Sequence, residues 1–153
     1  SGLGFGGFVG QFGVPGLSDK FGRRTMAVIC FIGAALSVYY FQTLTPSASV
    51  ATLWIVLALT SFFALGNVAL ITGPIATESA PAGLVAASIG IVVGAGEIFG
   101  GGIAPIIAGS VIDASGLHAV MFVALGGAIF GVLTSIFLTE TAPTKVGIPA
   151  GRR

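Results

Sequence analysis

Charged residues are scarce in this chain. Of its 153 residues only 7% are Asp, Glu, Lys or Arg, against about 25% in an average soluble domain. A water-soluble fold must cover most of its surface with polar groups, and too few are available here. That excludes a soluble enzyme, a nucleic-acid binder and a disordered tail. Cysteine is nearly absent. Cys30 stands alone, which excludes a disulfide scaffold. Histidine is also single, at His118, so neither a Ser-His-Asp arrangement nor a His-based metal site is supported. No cofactor and no metal ion is expected. What the chain does have is 55% hydrophobic residues and a mean hydropathy of +1.08. The class left standing is an all-α membrane protein whose first partner is the lipid bilayer.

The few charges are informative by position. The basic residues are Lys20, Arg23 and Arg24 near one end and Lys145, Arg152 and Arg153 near the other. Between residues 25 and 77 there is no Asp, Glu, Lys, Arg or His. A spanning helix needs about 20 apolar residues. The basic loop with Lys20, Arg23 and Arg24 and the breaks at Pro46, Pro81 and the Asp113–Gly116 stretch then divide a transmembrane bundle over residues 1–138 into spans near 1–17, 25–43, 51–76, 84–112 and 118–138. Residues 139–153 form a polar tail. Basic loops face the cytoplasm. Four spans separate the basic loop from the basic tail, so parity and charge agree on one cytoplasmic side for both. The protein is expected to be a multi-pass component of the cell's inner membrane with a cytoplasmic C-terminus. Glu78 and Glu140 fall at that boundary, where solvated carboxylates are ordinary. Trp54, Tyr39 and Tyr40 fall near the other one, as an aromatic belt does. The chain opens on Ser1 inside an apolar stretch and reads as the tail end of a longer protein.

Glycine is abundant. Gly90/Gly94, Gly96/Gly100 and Gly127/Gly131 have the small-xxx-small spacing that lets helix backbones approach in lipid. Gly100, Gly101, Gly102 and Pro105 in the fourth span favour bending. The string Gly2-Leu-Gly4-Phe-Gly-Gly7 matches G-x-G-x-x-G, but a dinucleotide site needs a preceding strand and a βαβ context, and this match lies in an apolar helix.

The most informative string is Pro15-Gly-Leu-Ser-Asp19-Lys20-Phe-Gly22-Arg23-Arg24. It resembles the loop signature of the major facilitator superfamily, matched at Leu17, Asp19, Lys20, Gly22, Arg23 and Arg24, with Pro15 where the first glycine is usual. The run from Gly100 to Gly116 resembles that family's eleventh helix and exit turn. Glu140-Thr141-Ala-Pro143 resembles the end of its twelfth. The resemblance implies a partial six-helix bundle of a twelve-helix fold, from helix eight (in part) to helix twelve, with the N-terminal half missing. It also implies a gate at Asp19, Lys20, Gly22, Arg23 and Arg24, with Asp19 favoured at a helix N-terminus and paired across to the other half.

Two features of the spans point to chemistry. Glu97 lies near the middle of the fourth span. A mid-membrane carboxylate is costly unless it is paired, hydrated or protonated, and such residues mark proton relays, ion sites or substrate paths. Proton coupling is the leading role. Asn67 shares one face of the third span with Thr60, Phe63 and Ile71 by helical spacing. Asn67 and Thr60 are candidate substrate contacts, with Gln11 a weaker one. The function expected is alternating-access secondary transport of a small molecule with protons, on family likeness the symport of an organic anion. A drug/proton antiporter and a small non-transport membrane subunit are the alternatives.

Overall fold

The structure, a computed structural model, describes residues 1–146. Arg152 and Arg153 of the expected basic tail lie outside the described residues. Among those described, regular structure is helical throughout: α1 (Gly2–Phe21), α2 (Arg23–Thr43), α3 (Val50–Leu70), α4 (Ala76–Glu78), α5 (Val85–Gly96), α6 (Ala104–Ser115), α7 (Leu117–Ile136) and α8 (Pro143–Val146). α3 continues into α4, and α5 into α6, through π-helical stretches at Ile71–Ile75 and Glu97–Ile103. Four continuous helices, Arg23–Thr43, Val50–Glu78, Val85–Ser115 and His118–Ile136, are long and apolar enough to cross a bilayer. α1 is not among them, being rich in glycine and ending in Asp19 and Lys20.

The helix ends follow local chemistry. Ser1 caps α1 through its hydroxyl, and Ser49 caps α3 in the same way, its Oγ accepting from the Thr52 N–H at 3.1 Å. Both π-helical stretches have a cause in sequence. Pro74 has no N–H for the Leu70 carbonyl, and Pro105 has none for the carbonyl of Gly101. In the second stretch Gly100, Gly101 and Gly102 add no side chain to oppose a wider turn.

α1 packs most closely on α3, and the reason is glycine. Gly2, Gly6 and Gly10 recur every fourth residue. A Cβ on each would strike the backbone carbonyl of Trp54, Ala58 and Phe62 respectively. Ser61 Oγ crosses the same seam to the Leu3 carbonyl at 2.7 Å. The declined G-x-G-x-x-G string is thus a helix-packing face. The pairs expected to pack behave otherwise. Gly90, Gly94, Gly96, Gly100 and Gly127 have no atom within 4 Å of a Cβ position, and only Gly131 meets a neighbour, the Phe31 ring. Spacing identifies small residues on one face, but not whether a helix is laid against that face. Gly6→Val is therefore expected to force α1 off α3, at the roughly 1–3 kcal/mol typical of overpacking or more. Thermal unfolding of the purified protein reads this directly. Gly4→Val, whose Cβ would meet only the Ser1 hydroxyl at 3.6 Å, should leave the midpoint nearly unchanged.

The core lies where α1, α2 and the end of α3 meet. Val14, Met26, Ala27, Cys30, Leu70 and Ile75 are buried there, with Phe62, Phe63, Ile71 and Leu138 packed around them. α2 turns Met26, Ala27, Cys30 and Ser37 inward and Ile29, Ile32 and Leu36 outward. α5, the π-helical stretch after it and α6 bury no residue. Their exposed Ile91, Ile98, Phe99 and Ile106 suit a lipid solvent, where an apolar surface needs no cover.

Candidate functional site

The basic end of the bundle is organised by one buried arginine. Only Gly22 separates α1 from α2. Its φ of 102° is a conformation that side chains oppose, and a Cβ there would run into the Glu140 carboxylate. The expected loop is therefore almost entirely helix. Asp19 and Lys20 close α1, and Arg23 and Arg24 open α2. This corrects the expected placement of Asp19. It sits at the C-terminal end of a helix, where the dipole does not favour a carboxylate, and it is held by Arg23 Nη2 at 2.6 Å. The carboxylate at the N-terminus of α2 is Glu140. Its Oε1 accepts from the backbone N–H of Arg23 at 2.7 Å and of Ala142 at 3.0 Å.

The Arg23 side chain is only 6% exposed. Its Nη2 and Nε donate to the two oxygens of Glu78 at 2.8 and 3.1 Å, the two-point geometry in which guanidinium binds carboxylate best. Its Nη1 donates to the Pro15 carbonyl at 3.1 Å and to Ser18 Oγ. Ser18 Oγ donates in turn to the same carbonyl at 2.5 Å. The Thr141 hydroxyl donates to Glu78 Oε2 at 2.8 Å, and that of Thr144 to the Asp19 carbonyl. The expectation that Glu78 and Glu140 are merely solvated is overturned. The Glu78 side chain is 9% exposed, and both carboxylates are bound into one knot that ties α1, α2, the end of α4 and the segment after α7. Lys20 and Arg24 are exposed.

The second feature is a cleft of about 620 Å³ between α3 and α5. It is lined by Val68, Ile71, Thr72, Val92, Val93, Gly96, Glu97, Gly100 and Gly101. Both π-helical stretches contribute to it, Ile71 and Thr72 from one, Glu97, Gly100 and Gly101 from the other. Such local widenings of a helix concentrate at functional sites, because they re-aim side chains and free backbone carbonyls. Glu97 is the cleft's single titratable side chain. Among the described residues no ion pair reaches it. Thr72 was not singled out from sequence. Its signal was its place one residue into a Pro74-disturbed turn, where its hydroxyl bonds the Val68 carbonyl at 2.8 Å.

The candidate substrate contacts are not brought together. Asn67 is 4% exposed and lines a different cavity, of about 250 Å³, with Cys30, Phe31, Phe63 and Ala128. Its Oδ1 has no hydrogen-bond partner. The Thr60 hydroxyl bonds its own helix at Val56, 2.8 Å away. Gln11 is exposed on α1. None of the three lines the Glu97 cleft. Gly102 and Pro105 flank the cleft on the same helix without lining it.

A family model described as Major Facilitator Superfamily matches residues 1–153. No curated protein and no solved structure matches the chain.

Proposed function

From the premise that this chain belongs to the major facilitator superfamily, we propose that it is part of a secondary transporter in which Glu97 couples proton movement to the symport of a small organic anion. Its membership makes it a multi-pass membrane protein of a transport family. The proposed mechanism is alternating access, in which one helix bundle rocks against another around a midplane site. The proposed placement is helix eight (in part) to helix twelve, with the Arg23 knot and the C-terminus on the cytoplasmic side. The knot would act as one rigid corner of the cytoplasmic gate, with Asp19, 55% exposed, open to contact from another part of the transporter.

The observation that carries this reading is the position of Glu97. It stands in a cleft whose walls are otherwise apolar or glycine apart from Thr72, with no counter-charge among the described residues. A carboxyl in such a place is free to exchange a proton as the cleft changes its exposure. Substrate contact is proposed at Glu97 and Thr72. Asn67, Thr60 and Gln11, which lie outside this cleft, are given no part in that contact. One feature of the same cleft favours a second reading, antiport of an organic cation such as a drug. The lining offers a carboxyl and hydroxyl but no basic group, so an anion needs its cationic partner from elsewhere in the transporter.

The test is uptake by proteoliposomes of the full-length protein under an imposed pH gradient. Organic anions should accumulate when the outside is acidic. Accumulation of lipophilic cations in exchange for protons selects the second reading. Gradient-independent leakage of both classes removes the transport proposal.

A further inference from the structure

A second pocket lies at the end of the bundle far from Arg23. It measures about 220 Å³ and is lined by Phe41, Gln42, Leu44, His118 and Met121. α2 carries Gln42 and α7 carries His118, so the pocket opens where the last turn of one spanning helix meets the first turn of another. Phe41 is 18 residues beyond Arg23, which at about 1.5 Å per residue is roughly the thickness of the hydrocarbon core. The pocket is thus at headgroup depth on the opposite membrane face. Tyr39 and Tyr40, 59% and 52% exposed, stand beside it as interfacial aromatics do.

Its polar groups converge on one kind of ligand. Gln42 Nε2 is shut from solvent and has no hydrogen-bond partner. An unpaired buried donor is costly, and Gln42 forms part of this pocket's wall. His118 is exposed on the other wall and can donate from its ring. No ion pair involves His118 among the described residues, and Asp113, the acid nearest to it in sequence, is itself exposed. No side chain caps the N-terminus of α7, which begins one residue before His118. The remaining lining, Phe41, Leu44 and Met121, is apolar. A lining that combines an amide and an imidazole with three apolar side chains suits an anionic amphiphile.

We propose that this pocket binds the phosphate of an anionic phospholipid, held by Gln42 and His118, with the start of an acyl chain against Phe41, Leu44 and Met121. The occupant is a lipid and not a free anion, because the apolar half of the lining has no use for inorganic phosphate and the site opens at the membrane surface, where lipid phosphate is concentrated. Binding there would tie α2 to α7 at the end opposite the Arg23 knot. This inference is independent of the coupling role given to Glu97.

The test uses the full-length protein in nanodiscs containing phosphatidylglycerol, with retained lipid counted by native mass spectrometry. Gln42→Glu, which exchanges the donor for an acidic group, and His118→Ala should each lower retention about tenfold, the effect of losing one charge-assisted hydrogen bond. Millimolar inorganic phosphate should leave retention unchanged. Equal retention in both variants overturns the proposal, and so does displacement of the lipid by inorganic phosphate. A second measurement needs no variant. Phosphatidylglycerol with a photoreactive group at the head of its acyl chain should crosslink to residues 41–44 or 118–121 of the unaltered protein. Crosslinks confined to other helices overturn the assignment.

Discussion

Arg23→Leu should cost the protein about 3–5 kcal/mol of stability, the range found when one partner of a buried ion pair is removed. The guanidinium is 6% exposed and meets two acids, one carbonyl and one hydroxyl. Its loss takes the two-point guanidinium contact from the Glu78 carboxylate, which is 9% exposed. It also removes the bridge between α1, α2 and α4. Arg23→Lys should recover only part, because an ammonium cannot make the two-point contact to Glu78. The double variant Arg23→Leu/Glu78→Leu should be less damaged than Arg23→Leu, since both members of the buried pair are then replaced by apolar groups. Thermal unfolding of the purified variants checks this. Arg24→Leu, at an exposed position one residue on, is the reference. If Arg24→Leu were as damaging as Arg23→Leu, the knot would have no special place in the fold.

The same cluster marks the boundary of what the sequence makes legible. The scarcity of charge, the apolar runs and the signature from Pro15 to Arg24 are enough to read an all-helical membrane bundle of this family. They also place Arg23 within that signature. They do not show its partners, because Glu78 and Glu140 are 55 and 117 residues away along the chain. An acid next to a predicted span looks solvated until the fold lays an arginine against it. Glycine spacing has the same weakness. Gly90 and Gly94 have the expected interval yet face open space, whereas Gly2, Gly6 and Gly10 lie against α3. Asn67 and Thr60 share a helical face by counting. In the structure one is buried toward α2 and α7 and the other bonds its own backbone. The π-helical stretches shift the register of a face, which a count of 3.6 residues per turn cannot anticipate.

Glu97→Gln should abolish uphill accumulation of substrate driven by a pH gradient and spare exchange of substrate for substrate. Glutamine keeps the size and hydrogen-bonding capacity of a protonated glutamate, so the cleft lined by Val68, Thr72, Val92 and Gly101 should persist. What it cannot do is release a proton. A coupled carrier without its proton site equilibrates substrate but does not concentrate it. The expected loss is therefore nearly complete for gradient-driven uptake and small for exchange. Loss of both activities together would point to a collapsed cleft, which an unchanged unfolding midpoint would then exclude. Glu97→Asp should retain coupling, since it keeps a carboxyl within the cleft.

Substrate-induced proton movement is the most direct measure of the coupling role. Proteoliposomes of the full-length protein carrying an internal pH dye, with no imposed gradient, report it when substrate is added outside. Acidification of the interior by the unaltered protein, absent in Glu97→Gln at equal exchange activity, is the expected result. Undiminished substrate-induced acidification in Glu97→Gln would contradict it and place the coupling proton outside this cleft.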